Sequence, residues 1–326
     1  MEPLQRMRVF RLWPLALALR PDRLWTCVFW ALPWTPGYVL AEQMGLDPAD
    51  PLVGSGQHQE HEHLADVAPH FSVPISPDGS LFLYAGLPGE PALGPQNYSE
   101  PLPANRLPDG PLTQHWLDAQ DLAYGVLTLE GRRGPWKMEA SSFNAKDPGG
   151  PGTRNLNSWS TRLSLHADPG LAMQVSYGQW SSPEMLEQSA QMRRLTASAS
   201  YHVQRGAHRW KTTVAWGLNN RKSPEQSSSL PGWMLESKYV LNRRHTFFGR
   251  VEEVKQEGLF DLGSPLYGHA MPVGKISVGY VFDSIKAGAL NLGVGALKGI
   301  YSIPTELDSR YGSHPRSYLV FLQGRI

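Results

Sequence analysis

The densest run of metal-competent side chains in this sequence is Gln57-His58-Gln59-Glu60-His61-Glu62-His63. In an extended chain, alternate side chains share a face, which pairs His61 with His63. In a helical turn, His58 and Glu62 become neighbours. Neutral imidazole suits zinc, copper or nickel, so His58, His61 and His63 are candidate metal ligands. A metal-bound histidine also needs a partner for its second ring nitrogen, and the surrounding polar stretch names none. The other reading of the run is a solvated linker. The lone Cys27 excludes a disulfide within the chain and any site built from several thiolates. No Gly-x-Ser-x-Gly nucleophile elbow occurs, and no His is spaced to a Ser in a recognisable catalytic motif. The expectation is therefore a protein that is not an enzyme and holds no cofactor.

A second set of residues carries charge at strand spacing. Lys137 and Glu139, Arg162, Arg194, Lys211, Arg250 and Glu252, and Lys275 each lie opposite an apolar face in an alternating segment. In a closed barrel such positions point inward. They would form either a slightly basic pore lining that favours anions or an interior of ion pairs that stabilises the wall. Lys137, Arg162, Arg194, Lys211, Arg250, Glu252 and Lys275 are the candidate pore-lining residues.

The elements that must position them are strands. Trp210, Thr212, Val214, Trp216 and Leu218 alternate with Lys211, Thr213, Ala215, Gly217 and Asn219. The same split recurs at Leu195 to Tyr201, at Ile276 to Phe282 and at Leu290 to Val294. A strict period of two means a strand with one apolar and one polar or small face. Short turns are expected at Pro77-Asp78-Gly79, Gly131-Arg132-Arg133-Gly134, Asp168-Pro169-Gly170, Arg205-Gly206-Ala207, Asn242-Arg243-Arg244 and Asp283-Ser284-Ile285-Lys286. Long Pro/Gly/Ser-rich loops are expected at Leu87 to Ala119, Ala145 to Leu156, Ser181 to Gln191, Asn220 to Pro231, Glu257 to His269 and Pro304 to Ser313. Alternation of short and long links is the pattern of outer-membrane barrels, with short turns on the periplasmic side. The Leu87 to Ala119 loop has two possible courses, inward as a constriction or outside the barrel.

Composition agrees. The 326 residues include 11 Trp, 12 Tyr and 10 Phe, rings that favour a lipid–water boundary. Trp180, Trp210, Trp216 and Tyr280 are expected in such girdles. Lys plus Arg is 30 against Asp plus Glu 29, so no basic excess points to nucleic acid. Residues 1–41 read as a signal peptide or a spurious N-terminal extension. Arg6, Arg8, Arg11, Arg20 and Arg23 supply a basic start, Leu24 to Leu32 an apolar run, and cleavage is expected before Glu42. Residues 42–67 read as a polar His-rich linker and 68–326 as the barrel. The C-terminal segment alternates Tyr318, Val320 and Leu322 with Leu319, Phe321 and Gln323 up to Ile326. About thirteen strands are visible from His70 onward, an odd number where bacterial barrels have even ones. One strand or more is therefore expected to be missing or degenerate on the N-terminal side.

Leu81-Phe82-Leu83-Tyr84-Ala85-Gly86-Leu87-Pro88-Gly89-Glu90-Pro91-Ala92-Leu93-Gly94-Pro95 resembles a segment of a family of uncharacterised proteobacterial outer-membrane barrel proteins. His115-Trp116-Leu117-Asp118, Gln174-Val175-Ser176-Tyr177-Gly178, Ser182-Pro183-Glu184, Thr196-Ala197-Ser198, Ala215-Trp216-Gly217, Phe248-Gly249-Arg250 and Val273-Gly274-Lys275 follow in the family's order. The resemblance covers Gln57 to Ile326. It implies further strands upstream, with this chain N-terminally diverged or truncated, and it supplies no activity. This chain departs from the family where the family has histidines, at Glu100-Pro101, Gln114 and Gln120-Asp121-Leu122. The reading is an all-β, antiparallel up-and-down transmembrane barrel of about 14 to 16 strands. It belongs to the outer membrane of a Gram-negative bacterium, with outer-membrane lipid and the barrel-assembly machinery as partners. It acts as a passive pore for small polar solutes, a surface or metal-linked binding protein with a plugged barrel, or a non-functional remnant.

Overall fold

The structure is a computed structural model that describes residues 24–31, 70–86, 89–95, 109–117, 119, 123, 125–145, 156–168, 170–181, 191–222, 227–257, 259–260, 263–287 and 290–325. Its strands are β1 (Leu24–Ala31), β2 (His70–Ser76), β3 (Gly79–Gly86), β4 (Gly125–Arg133), β5 (Trp136–Asn144), β6 (Ser158–Asp168) and β7 (Leu171–Ser181). They continue as β8 (Gln191–Arg205), β9 (His208–Lys222), β10 (Ser227–Leu241), β11 (His245–Gln256), β12 (Met271–Ala287), β13 (Leu290–Ser302) and β14 (Arg316–Arg325). β2 to β14 are the thirteen strands read from His70 onward. Each pairs antiparallel with the next, as a meander requires. β1 adds to β14, from Leu24 opposite Arg325 to Ala31 opposite Leu319, and brings the sheet to fourteen strands. It arises from the apolar run that sequence alone places in a signal segment. β1 and β2 are the two edges of the sheet, and no register joins them among the described residues. The candidate ligands His58, His61 and His63 lie outside the described residues.

Two faces follow from the alternation. Outward positions are large and apolar yet exposed: Leu129, Leu163, Val175, Val214, Leu235, Val251, Val278 and Val320 run from strand to strand. A soluble sheet does not leave so continuous an apolar surface in water. An acyl environment is the one in which it is stable. No helix among the described residues is long and apolar enough to cross a membrane. Near the short links the outward face carries Trp136, Tyr201, Trp210, Tyr239 and Phe247; near the long links it carries Trp159, Trp216, Trp233 and Tyr318. Rings at both limits of an apolar band form the two girdles of a transmembrane barrel.

Trp180 departs from the girdle expectation. It shares the inner face of β7 with Gln174 and Ser176 and is buried against Leu93, Phe143 and Val126. Two links also differ from the sequence reading. β9 and β10 extend to Lys222 and from Ser227, so only 223–226 separate them where Asn220 to Pro231 looks like a loop. The Ser/Asn-rich stretch still satisfies the ladder, because strand hydrogen bonds belong to the backbone. Asp283 to Lys286 is not a turn. β12 passes through it with a bulge between Asp283 and Ile285 and continues to Ala287, which pairs with Leu290 of β13.

Candidate functional site

The inner face of the sheet is the candidate site, and the link between β3 and β4 occupies it. The described residues of that link run inward. Ala92, Leu93, Asp109, Leu112, Thr113, Trp116, Leu117, Ala119 and Ala123 are all buried. A single helical turn, α1 (Gln114–Leu117), lies at its far end. Among the described residues of the link only α1 is regular, so the backbone groups of 89–95 and 109–113 must find partners elsewhere. They find them on the strands, at three places.

The first anchor is on β5, β6 and β7. The Ala92 amide donates to Ser141 Oγ at 2.8 Å and the Gly94 amide to Ser176 Oγ at 2.8 Å. Arg162 Nη1 donates to the Gly94 carbonyl at 3.2 Å. Arg162 is itself held by a forked pair to Glu139, with Nε to Oε2 at 2.7 Å and Nη2 to Oε1 at 2.9 Å. Lys137 Nζ completes the group, 3.0 Å from Glu139 and 3.6 Å from Glu130. Glu90, from the link, reaches Arg162 at 3.7 Å.

The second anchor is on β8 and β9. Arg194 Nε donates to Asn219 Oδ1 at 2.7 Å, and both Arg194 Nη2 and Asn219 Nδ2 donate to the His115 carbonyl, the latter at 2.9 Å. The Arg194 guanidinium also covers the Trp180 ring at 5.0 Å, a favourable cation–π contact. Trp116 then lies on β9 and β10, its indole Nε1 donating to the Leu230 carbonyl at 2.7 Å. Gly217 makes this approach possible, since a Cβ there would lie 2.5 Å from the Trp116 carbonyl oxygen.

The third anchor is the most buried. Asp109 accepts from Lys275 Nζ and, at 3.1 Å, from Ser277 Oγ on β12. Its carbonyl accepts from Arg250 Nη1 at 3.1 Å. Arg250 Nε donates to Glu236 Oε2 at 3.1 Å, and Glu252 Oε2 accepts from the Thr113 amide at 3.3 Å. Side chains of Arg250, Glu236 and Glu252 are fully buried. Each charge meets an opposite one or a hydrogen-bond partner, the condition under which burial of ions is tolerated.

Among the seven candidate lining residues, Lys137, Arg162, Arg194, Arg250, Glu252 and Lys275 are buried on the inner face and Lys211 is half-buried. They fall into separate groups rather than one ring. Sequence reasoning placed none of their partners from the link. Asp109 and Thr113 sit in a segment without periodicity, and only an Asp-Gly pair marks the place. Apolar packing fills the space beside the third anchor. Leu112, Trp116 and Leu117 meet Met234, Val254, Leu259, Val273, Leu307 and Tyr311 toward the long-link end. Phe248, Val281, Leu297, Leu319 and Phe321 pack at the short-link end. Between β6 and β9 the inner face is instead hydroxyl-rich: Ser176 bonds Thr196 at 2.7 Å, Gln174 bonds Thr196 and Ser198 at 3.1 Å, and Ser200 bonds Thr213 at 2.8 Å. No group of histidine, cysteine and acidic residues suited to a metal occurs among the described residues.

No family model and no curated protein matches the chain. Among solved structures, it is similar to the outer-membrane protein OmpT of Vibrio cholerae, with 9% identity over 78% of this chain and 79% of that one and a TM-score of 0.44. It is also similar to an anion-selective porin from Comamonas acidovorans, with 12% identity over 76% and 74% and a TM-score of 0.45. OccK10 of Pseudomonas aeruginosa shares 13% identity over 79% and 82%, with a TM-score of 0.41. These scores lie below 0.5, and the fold assignment rests on the strand order and the two-faced alternation of the chain itself.

Proposed function

We propose that this protein is an outer-membrane barrel acting as a narrow passive pore for small polar solutes, with the β3–β4 link setting its width. The observation that carries the reading is the inward link itself, tied to β5–β7, to β8–β9 and to β10–β12. The hydroxyl-rich face from β6 to β9 supplies a polar path beside the link, suited to hydrated, uncharged or weakly charged solutes. The partners are outer-membrane lipid around the apolar band and the assembly machinery that inserts such barrels.

Planar-bilayer recording tests this. Wild-type protein is expected to give small, steady conductance steps. Asp109→Ala combined with Trp116→Ala, which removes the side-chain contacts of two anchors, is expected to give larger steps at the same voltage. A second reading, a plugged barrel, is favoured by the apolar packing of Leu112, Trp116 and Leu117 against β10–β13. It predicts an inserted protein with no conductance until those anchors are removed.

A further inference from the structure

Six of the seven charges found at strand spacing are tied into the three anchors. Lys211 is the exception, and the strand register gives it companions. It stands directly opposite His202 on β8 and Lys238 on β10. One rung nearer the short links, Arg209 stands between Gln204 and Val240. Residues directly opposite in an antiparallel pair lie side by side on one face. Thr213, two residues from Lys211, and Glu236, two from Lys238, are buried on the inner side, so parity turns the whole group inward. His202, Arg209, Lys211 and Lys238 therefore share one patch of the inner wall at its short-link end.

These residues face inward and still reach solvent. His202, Gln204 and Arg209 are exposed, and Lys211 and Lys238 are half-buried. The same two rungs continue across β11–β14 as Phe248, Val281, Leu297, Leu319 and Phe321, which are buried against one another. The short-link mouth is thus dry along β11–β14 and wet along β8–β10. The hydroxyl-rich face leads to the wet part, since Ser200 and Thr213 pair on the rung next to His202 and Lys211. Charge there has one sign. β7, β8 and β9 contain no acidic residue, and β10 contains Glu236 alone. The Glu236 carboxylate is fully buried and already accepts from Arg250. Lys211 opposite Lys238 sets two cations at cross-strand spacing, an arrangement that costs stability. An anion held between them relieves that repulsion.

We propose that His202, Arg209, Lys211 and Lys238 form a binding site for small oxyanions, such as phosphate or a short carboxylate, at the short-link mouth of the lumen. The site rests on the reading of the chain as a narrow pore and names the solute class which that pore favours. Arg209 offers a planar fork of N–H donors, and the two lysines offer compact point charges. His202 adds a ring N–H. Between low-dielectric walls a patch of one sign concentrates the opposite ion.

Two measurements on the refolded full chain test the site. The first is the reversal potential under a potassium chloride gradient in a neutral planar bilayer. At low salt, chloride is expected to be preferred over potassium by about ten-fold. The preference should collapse near 1 M salt, where the screening length falls to about 3 Å. The second is the line width of the phosphorus resonance of inorganic phosphate, added to the protein in a phosphate-free detergent, which reads binding without conductance. Broadening is expected with wild type. Lys211→Gln/Lys238→Gln should abolish both effects, Lys211→Arg/Lys238→Arg should keep both, and Arg209→Gln should weaken both. The heat shift of the unheated band checks that each variant is folded. Conductance without anion preference or broadening would overturn the site and leave the pore standing. Broadening without conductance would overturn the pore and leave the site standing. An anion preference that survives unchanged in folded Lys211→Gln/Lys238→Gln would assign it to other residues and overturn the site.

Discussion

Replacing Asp109 by alanine leaves Lys275 buried without its carboxylate. Breaking a buried pair from one side typically costs about 3–5 kcal/mol, so Asp109→Ala should lower the urea midpoint markedly. The double change Asp109→Leu/Lys275→Met removes both charges and should recover most of that loss, because a matched apolar pair avoids the desolvation cost. If the single and double variants unfold alike, the pair contributes nothing specific. Outside the barrel the sign of the rule reverses. Val214 points to lipid between Trp210 and Trp216, and Val214→Arg should cost about 2–4 kcal/mol. Thr213, one residue away on the inner face, should accept serine with a far smaller loss. Which side a residue faces was legible in the sequence, since it follows from parity. Trp180 defeats only a reading by side-chain size. Its size suggests the girdle, but parity along β7 sets it inward with Gln174 and Ser176.

At the scale of elements, the strands were readable because alternation is a local signal, repeated at each segment from His70 onward. The links were readable in length but not in course. Nothing between Leu87 and Ala119 alternates, and the partners of that segment lie on strands far along the chain, so its inward path has no local signature. Strand ends in polar sequence were also hidden, as between β9 and β10, where Ser227, Ser228 and Ser229 pair with Lys222, Arg221 and Asn220. The docking of α1 depends on Gly217. Gly217→Leu should drive Trp116 off the wall while leaving the strands paired. Limited proteolysis would then cut within the β3–β4 link, and the far-ultraviolet spectrum would stay that of the wild type. Resistance equal to wild type would mean that the link docks without this contact.

At the scale of the whole molecule, fourteen antiparallel strands make an even set, which resolves the odd count left by the thirteen strands from His70. A barrel of this kind in detergent is expected to migrate faster unheated than boiled. A single unshifted band would exclude a closed, stable cylinder.

The inward link also sets a timetable. Asp109 precedes Lys275 by 166 positions and Ser277 by 168, so its partners are made and delivered late, with only β13 and β14 after them. Until β12 has joined the sheet, the third anchor has nowhere to fasten, and the link is held by the first two alone. Contacts of such long span slow folding. The interior is thus completed only when most of the wall is up. An assembly intermediate should exist that is already inserted and wide, and it should become narrow only in a final, slower step.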